Sequence, residues 1–168
     1  MSRGTFPLRE LPTAGTVTPP GTWKRSSTKN GDVFAIVDAG PLYAVADADD
    51  DDHQRSLAVF QRRDLDLVIP ALVVAEVSYL LGRRAGPSAE AAFLRGLESF
   101  DIEAPVPEDW IRIADLVERY GNFPLGGADA SVVVLAERLD TDLVITLDRR
   151  HFGAVRPRHY PAFRLLPD

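Results

Sequence analysis

Apolar positions along the chain fall into two patterns, short unbroken runs and longer stretches in which they recur every three or four residues. Val33–Val37 and Leu143–Thr146 are short runs rich in β-branched residues, and Leu65–Ile69 is a like segment interrupted at Asp66; they predict strands. A last strand is expected at Phe163–Leu166, and a brief extended piece at Ile102–Val106. The recurring patterns predict helices. Pro41 opens a helical turn over Leu42–Ala46, and a short amphipathic helix covers His53–Arg63. A strongly apolar helix over Ala71–Arg84 is stopped by Gly86-Pro87. Ser88 is a candidate N-cap for a helix running to Phe100. Helices also follow over Glu108–Tyr120, with Gly121 in the C′ position, and over Asp129–Leu139 after Gly126-Gly127. Strands alternating with helices predict an α/β domain with a mainly parallel sheet.

Residues 1–31 carry no apolar periodicity and are rich in Pro, Gly, Thr and Ser. Such a segment buries too little surface to offset its ordering entropy, so a disordered N-terminal tail is expected ahead of a single domain over residues 32–168. Composition then narrows the chemistry. The chain of 168 residues has no cysteine, which removes disulfide scaffolds, zinc ribbons and thiol nucleophiles together. No apolar run is long enough to span a membrane and no signal peptide is evident, so the expected location is cytoplasmic, with no membrane partner. Charge is unevenly divided. Residues 1–31 hold five basic side chains against Glu10, and so +4 of a total of −6, leaving −10 on the rest. Phosphate contacts need positive charge, so a nucleic-acid enzyme built on this acidic domain would need local arginines and a bound cation. Residues 32–168 contain 14 arginines and no lysine.

Four acidic residues stand out. Asp38 and Asp148 each sit just past the carboxyl end of an apolar strand, where open α/β sheets place their sites; taken singly, each also reads as a turn or capping residue. Glu76 lies in mid-helix, with Leu72, Val73, Tyr79 and Leu80 at its i±3 and i±4 positions. An ionised carboxylate on an apolar face is costly unless a cation or strong donors compensate, an arginine from another element being the plainer alternative. Asp129 stands at a helix start and reads equally as an N-cap. Together, carboxylates converging on one point raise one another's pKa and call for a divalent cation. All-oxygen ligation suits Mg2+ or Mn2+ better than zinc, and magnesium retains waters of which one can attack a phosphodiester.

The segments AIVDAGPLYA around Asp38, VVAEV around Glu76, PLGGADASVVVLAERL around Asp129 and LVITLDRRHF around Asp148 resemble the PIN-domain nucleases, and most of all the VapC toxins of type II toxin–antitoxin pairs. The resemblance spans roughly residues 33–166, with the four motifs in order. It implies a three-layer, Rossmann-like α/β/α sandwich and Mg2+- or Mn2+-dependent endoribonuclease activity. It further implies a homodimer and a VapB-like antitoxin that blocks the site. It assigns Asp38, Glu76, Asp129 and Asp148 to the acidic positions, Asp38 and Asp129 as the most direct metal contacts and Glu76 acting through a water. Thr146 matches a supporting hydroxyl. Gly40 is a departure, since Ser, Thr or Asn often stands there, and it removes a supporting hydrogen bond.

Arg149, Arg150, Arg156 and Arg158 crowd the region after Asp148 and are the candidates for RNA docking, ordinary salt bridging being the alternative. The run Asp47–Asp52 lacks the glycine and terminal glutamate of a calcium loop and reads as a solvated loop. His53, His151 and His159 show no helical metal spacing, and His53 is expected at the surface. Trp110, Ile113, Ala114 and Val117 are expected to build core or a dimer interface. Two other functions compete. A haloacid-dehalogenase-type phosphatase or a receiver domain would also use an aspartate after the first strand, but both need a lysine, and the phosphatase a second Asp where Gly40 stands. A non-catalytic PIN-like binding module is the other alternative.

Overall fold

The computed structural model describes residues 33–123 and 125–168, and the expected tail at residues 1–31 lies outside them. The elements run β1 (Val33–Val37), α1 (Ala39–Ala46), α2 (His53–Phe60), β2 (Leu65–Pro70), α3 (Ala71–Arg84), α4 (Pro87–Gly96), β3 (Asp101–Glu103), α5 (Pro107–Arg119), α6 (Gly127–Leu139), β4 (Leu143–Ile145), α7 (Arg149–Ala154) and β5 (Arg164–Leu166). The strands form one sheet in the order β3-β2-β1-β4-β5. Each described pairing is parallel, with Ile36 opposite Val68 on one side and Val144 on the other. Successive strand residues point to opposite faces. Ile36 and Val37 are both fully buried, so helices cover both faces of β1 and the fold is a three-layer α/β/α sandwich. Phe60, Phe93, Phe152, Ile69 and Leu116 complete the core on either side.

The chain leaves β1 toward β2 on one side and returns to β4 on the other. The strand order therefore reverses between β1 and β4, and a crevice opens outside their carboxyl ends. Asp38 directly follows β1, and Asp148 is the third residue after β4.

Several boundaries differ from the sequence expectation. Ser88 is not the cap of α4: Gly86 holds that position with φ of 86°, a left-handed conformation open to glycine, and Pro87 is the first helical residue. The helix expected to reach Phe100 ends at Gly96 and passes into a 3-10 turn at Leu97–Ser99. Helix α7 was not anticipated, because six residues are too few to show a period. His53 is not at the surface; it is 7% exposed, and its Nδ1 lies 2.8 Å from the Ala44 carbonyl, tying α2 to α1. On α5 only Ile113 of the expected four joins the core, while Trp110 is 50% and Val117 38% exposed.

Candidate active site

An open pocket of about 600 Å³ occupies the crevice, lined by Asp38, Ala39, Gly40, Glu76, Asp129, Leu147, Asp148, Arg149 and Arg150. All four predicted carboxylates reach it, from the end of β1, from α3, from the first turn of α6 and from the segment after β4. Of the four predicted arginines, Arg149 and Arg150 line it. Arg156 turns back to the Gly153 carbonyl at 2.7 Å. The Arg158 backbone N–H donates to Glu137 at 2.9 Å. Glu137 lies eight residues beyond Asp129, roughly 12 Å along α6. Neither Arg156 nor Arg158 borders the pocket.

Asp38 is 4% exposed. It occupies the N-cap position of α1 but its side chain makes no capping bond. Its Oδ2 instead accepts the Thr146 hydroxyl at 2.7 Å, and the Thr146 oxygen in turn accepts the Asp148 backbone N–H at 2.9 Å. One fully buried hydroxyl thus ties the ends of the two strands that flank the crevice. Asp38 Oδ1 is buried with no hydrogen-bond partner among the described residues. Burial, against the opposing Thr146 bond and with repulsion from Asp129 and Glu76, pushes the Asp38 carboxyl up to about 7.

The other three acids are less enclosed. Glu76 was expected on a costly apolar face, yet it is exposed. The ridge of α3 that meets the core is Val73, Val77 and Leu81, and the apolar neighbours Leu72, Tyr79 and Leu80 lie off it. Partial desolvation and the nearby Asp129 still raise its pKa. Asp129 is the third residue of α6 rather than its cap, and its Oδ2 accepts the Gly126 N–H at 2.9 Å. Desolvation raises its pKa, the Gly126 bond and the neighbouring His151 acting the other way. Asp148 does act as a cap: Oδ1 accepts the His151 N–H at 2.9 Å, and Oδ2 meets the His151 Nδ1. Burial works to raise Asp148, but these bonds from His151 outweigh it and hold the group below the usual range.

Gly40 has a local reason to be small. A Cβ there would stand 3.3 Å from Leu147 Cβ, so Leu147 crowds the space a Ser, Thr or Asn would take. Two residues escaped the sequence reading. His151 holds Asp148, and Phe123 packs against both the His151 ring, at 4.5 Å between centroids, and the Arg150 guanidinium, at 5.1 Å. The three-residue step from Asp148 to His151 is the signal that a short capped helix would have given.

The donor set suits a hard divalent cation. It offers carboxylate oxygens only, with one buried acceptor that has no hydrogen-bond partner among the described residues and three acids whose pKa values are raised together. Among the described residues no three of these side chains converge to enclose an ion by themselves. Magnesium asks for no such cage, since it is commonly held by one or two carboxylates and keeps several waters.

A family model described as the PIN domain matches residues 35–156. Ribonuclease VapC26 of Mycobacterium tuberculosis is 37% identical over 134 residues, which make up 79% of this chain and 99% of the relative. Among solved structures, VapC20 of Mycobacterium tuberculosis, described as a sarcin-ricin loop cleaving toxin, superposes with a TM-score of 0.60 at 18% identity, over 66% of this chain and 86% of that one. VapBC2 of Rickettsia felis, bound to a DNA fragment from its promoter, gives a TM-score of 0.60 at 12% identity, over 80% and 100% of the two chains. A toxin–antitoxin complex from Klebsiella pneumoniae gives 0.54 at 16% identity, over 77% and 99%. At these identities the structures speak for the fold alone.

Proposed function

Since this chain belongs to the PIN-domain family, we propose that it is a metal-dependent endoribonuclease acting as the toxin of a toxin–antitoxin pair. The observation that carries this reading is the convergence of Asp38, Glu76, Asp129 and Asp148 on one crevice at the strand-order reversal. The 37% identity with a ribonuclease across nearly that protein's whole length supports RNA as the substrate. The reaction is hydrolysis: water adds to phosphorus, the bond to one bridging oxygen breaks, and that oxygen takes up a proton. Asp38 and Asp129 would hold Mg2+ or Mn2+ most directly, with Glu76 and Asp148 alongside. Bound there, the ion would supply charge neutralisation at the phosphate and activate a water. Thr146 fixes the orientation of Asp38 and the start of the Asp148 turn. Arg149 and Arg150 offer phosphate contacts from the pocket's other wall.

Residues 32–168 form the nuclease unit on this reading. An antitoxin partner belongs to the same proposal; two of the chains that share this fold were solved in toxin–antitoxin assemblies. The exposed apolar residues of α5, Trp110, Ile111 and Val117, are the surface proposed to meet a second copy in a homodimer. Among the described residues no helix is long and apolar enough to cross a membrane, and a cytoplasmic site of action fits an RNA target.

The test is incubation of the purified full chain with total bacterial RNA, with and without Mg2+ or Mn2+, beside Asp129→Ala and Asp38→Asn. Discrete products that need both the ion and the two aspartates are expected. A protein shown to be free of bound partner that cuts nothing under either ion would instead make this a non-catalytic binding module.

A further inference from the structure

In a body carrying −10, several of the 14 arginines beyond the tail are committed to carboxylates. Arg55, Arg62, Arg112, Arg138 and Arg164 each pair with a carboxylate at 3.0 Å or less, whereas Arg149 is 4.0 Å from the fully exposed Asp168 and lines the pocket. Arg150 lies over Phe123 at the pocket. On the opposite wall, α3 runs outward from Glu76. Its buried ridge is Val73, Val77 and Leu81. The reverse face therefore presents Glu76, Tyr79 and Arg83 in one line, at helical steps of three and four residues. Tyr79 is 64% exposed, one of the most exposed large side chains among the described residues. Neither Tyr79 nor Arg83 has a hydrogen-bond or ion-pair partner among the described residues, and neither is covered by another element. Along the helix axis Tyr79 stands about 4.5 Å beyond Glu76, and Arg83 about 6 Å further. Arg84, at the end of the same helix, lies over the Tyr43 ring at 5.3 Å.

We propose that this face of α3 is a docking strip for single-stranded RNA, on which Tyr79 stacks against a base beside the scissile phosphate and Arg83 holds a backbone phosphate. The inference rests on the ribonuclease reading and deepens it. An exposed aromatic ring followed one turn later by an uncommitted guanidinium is the combination that single strands use, because every base offers a flat face and every nucleotide a phosphate. A double helix would keep its bases stacked on each other and leave Tyr79 unused. The strip begins at a residue that lines the catalytic pocket, so a strand lying on it enters the carboxylate crevice without a break. Tyr79 also makes the strip tolerant of sequence, since stacking reads the face of a base and not its edge.

The experiment is binding of a fluorescein-labelled single-stranded oligoribonucleotide of mixed sequence to the full chain carrying Asp38→Asn, followed by anisotropy, with Tyr79→Ala, Tyr79→Phe and Arg83→Ala added in turn. Tyr79→Ala should weaken binding roughly 5- to 100-fold, the range of one lost base stack, and Tyr79→Phe should retain it. Arg83→Ala should flatten the salt dependence, whereas Tyr79→Ala should lower affinity at every salt concentration without changing the slope. A scan of the same probe with single abasic positions should find one position at which Tyr79→Ala costs nothing further. Equal binding by Tyr79→Ala, or a shift in oligomeric mass on that substitution with RNA affinity unchanged, would overturn the proposal and give the face to a second copy of the chain. If the parent protein binds no RNA while remaining folded and partner-free, the ribonuclease reading itself fails, an outcome distinct from the loss of Tyr79's role.

Discussion

Asp38 is 4% exposed, and its hydroxyl partner Thr146 satisfies only one of its two oxygens. Burial first, then the charges of Asp129 and Glu76, raise its pKa from 3.8 to about 7. The folded protein holds this proton more tightly than the unfolded chain. The contribution of Asp38 to stability is therefore fully present below 3.8 and is lost as pH rises through about 7. At about 1.4 kcal/mol per pH unit the penalty above that window is on the order of 4 kcal/mol. Asp38→Asn should raise the Tm of the metal-free protein above pH 7, with the gain fading to nothing below 3.8, although the same change should abolish cleavage on the proposed reading. Thermal melts across pH check this, and a variant no more stable than its parent at high pH would remove the desolvation cost. Added Mg2+ should raise the parent's Tm and leave the variant's less changed. Asp38 was legible as a candidate because it directly follows an apolar strand. Glu76 was legible as an anomaly, but its exposure was not, because apolar residues occupy more than one face of α3 and periodicity alone does not say which face meets the sheet.

Most elements followed from their patterns, and α3 matches its expected limits of Ala71 and Arg84. The short ones did not. Helix α7 is held by the Asp148 cap and by the buried Phe152 rather than by any repeat. Its orientation also depends on Phe123, which comes from the segment before α6 and packs on Arg150 and His151. No local signal in the sequence pairs residues so far apart. Phe123 thus packs on both the arginine proposed to contact phosphate and the histidine that bonds Asp148. Phe123→Ala should raise the KM for an oligoribonucleotide about 2- to 5-fold, as loss of an exposed cation–π contact of roughly 0.5–1 kcal/mol would. Phe123→Tyr should preserve the parent value. Steady-state cleavage kinetics on both variants decide it, and an unchanged KM in Phe123→Ala would detach α7's orientation from this ring.

Across the whole molecule, the sheet order sets where the chemistry can sit, and the charge sets how RNA can reach it. The order β3-β2-β1-β4-β5 was not legible, since strand neighbours are chosen by long-range packing; only the parallel α/β class was. Charge was legible at once, and it limits the interface. A domain of −10 cannot hold RNA by a broad basic surface. Arg149, Arg150 and Arg83 are the arginines proposed to touch phosphate, whereas Arg156 and Arg158 lie away from the pocket. Three such contacts on a single strand predict a slope of log affinity against log salt of about −2, at about −0.7 per contact. Removing Arg149 or Arg150 should flatten it by about 0.7 each. Arg156→Ala and Arg158→Ala should leave it unchanged. The measurement is a salt titration of oligoribonucleotide binding to the full chain carrying Asp38→Asn, which keeps the strand uncut. A slope several times steeper, lost when residues 1–31 are removed, would move RNA docking to Arg3, Arg9, Lys24, Arg25 and Lys29, and the pocket arginines would then serve orientation alone.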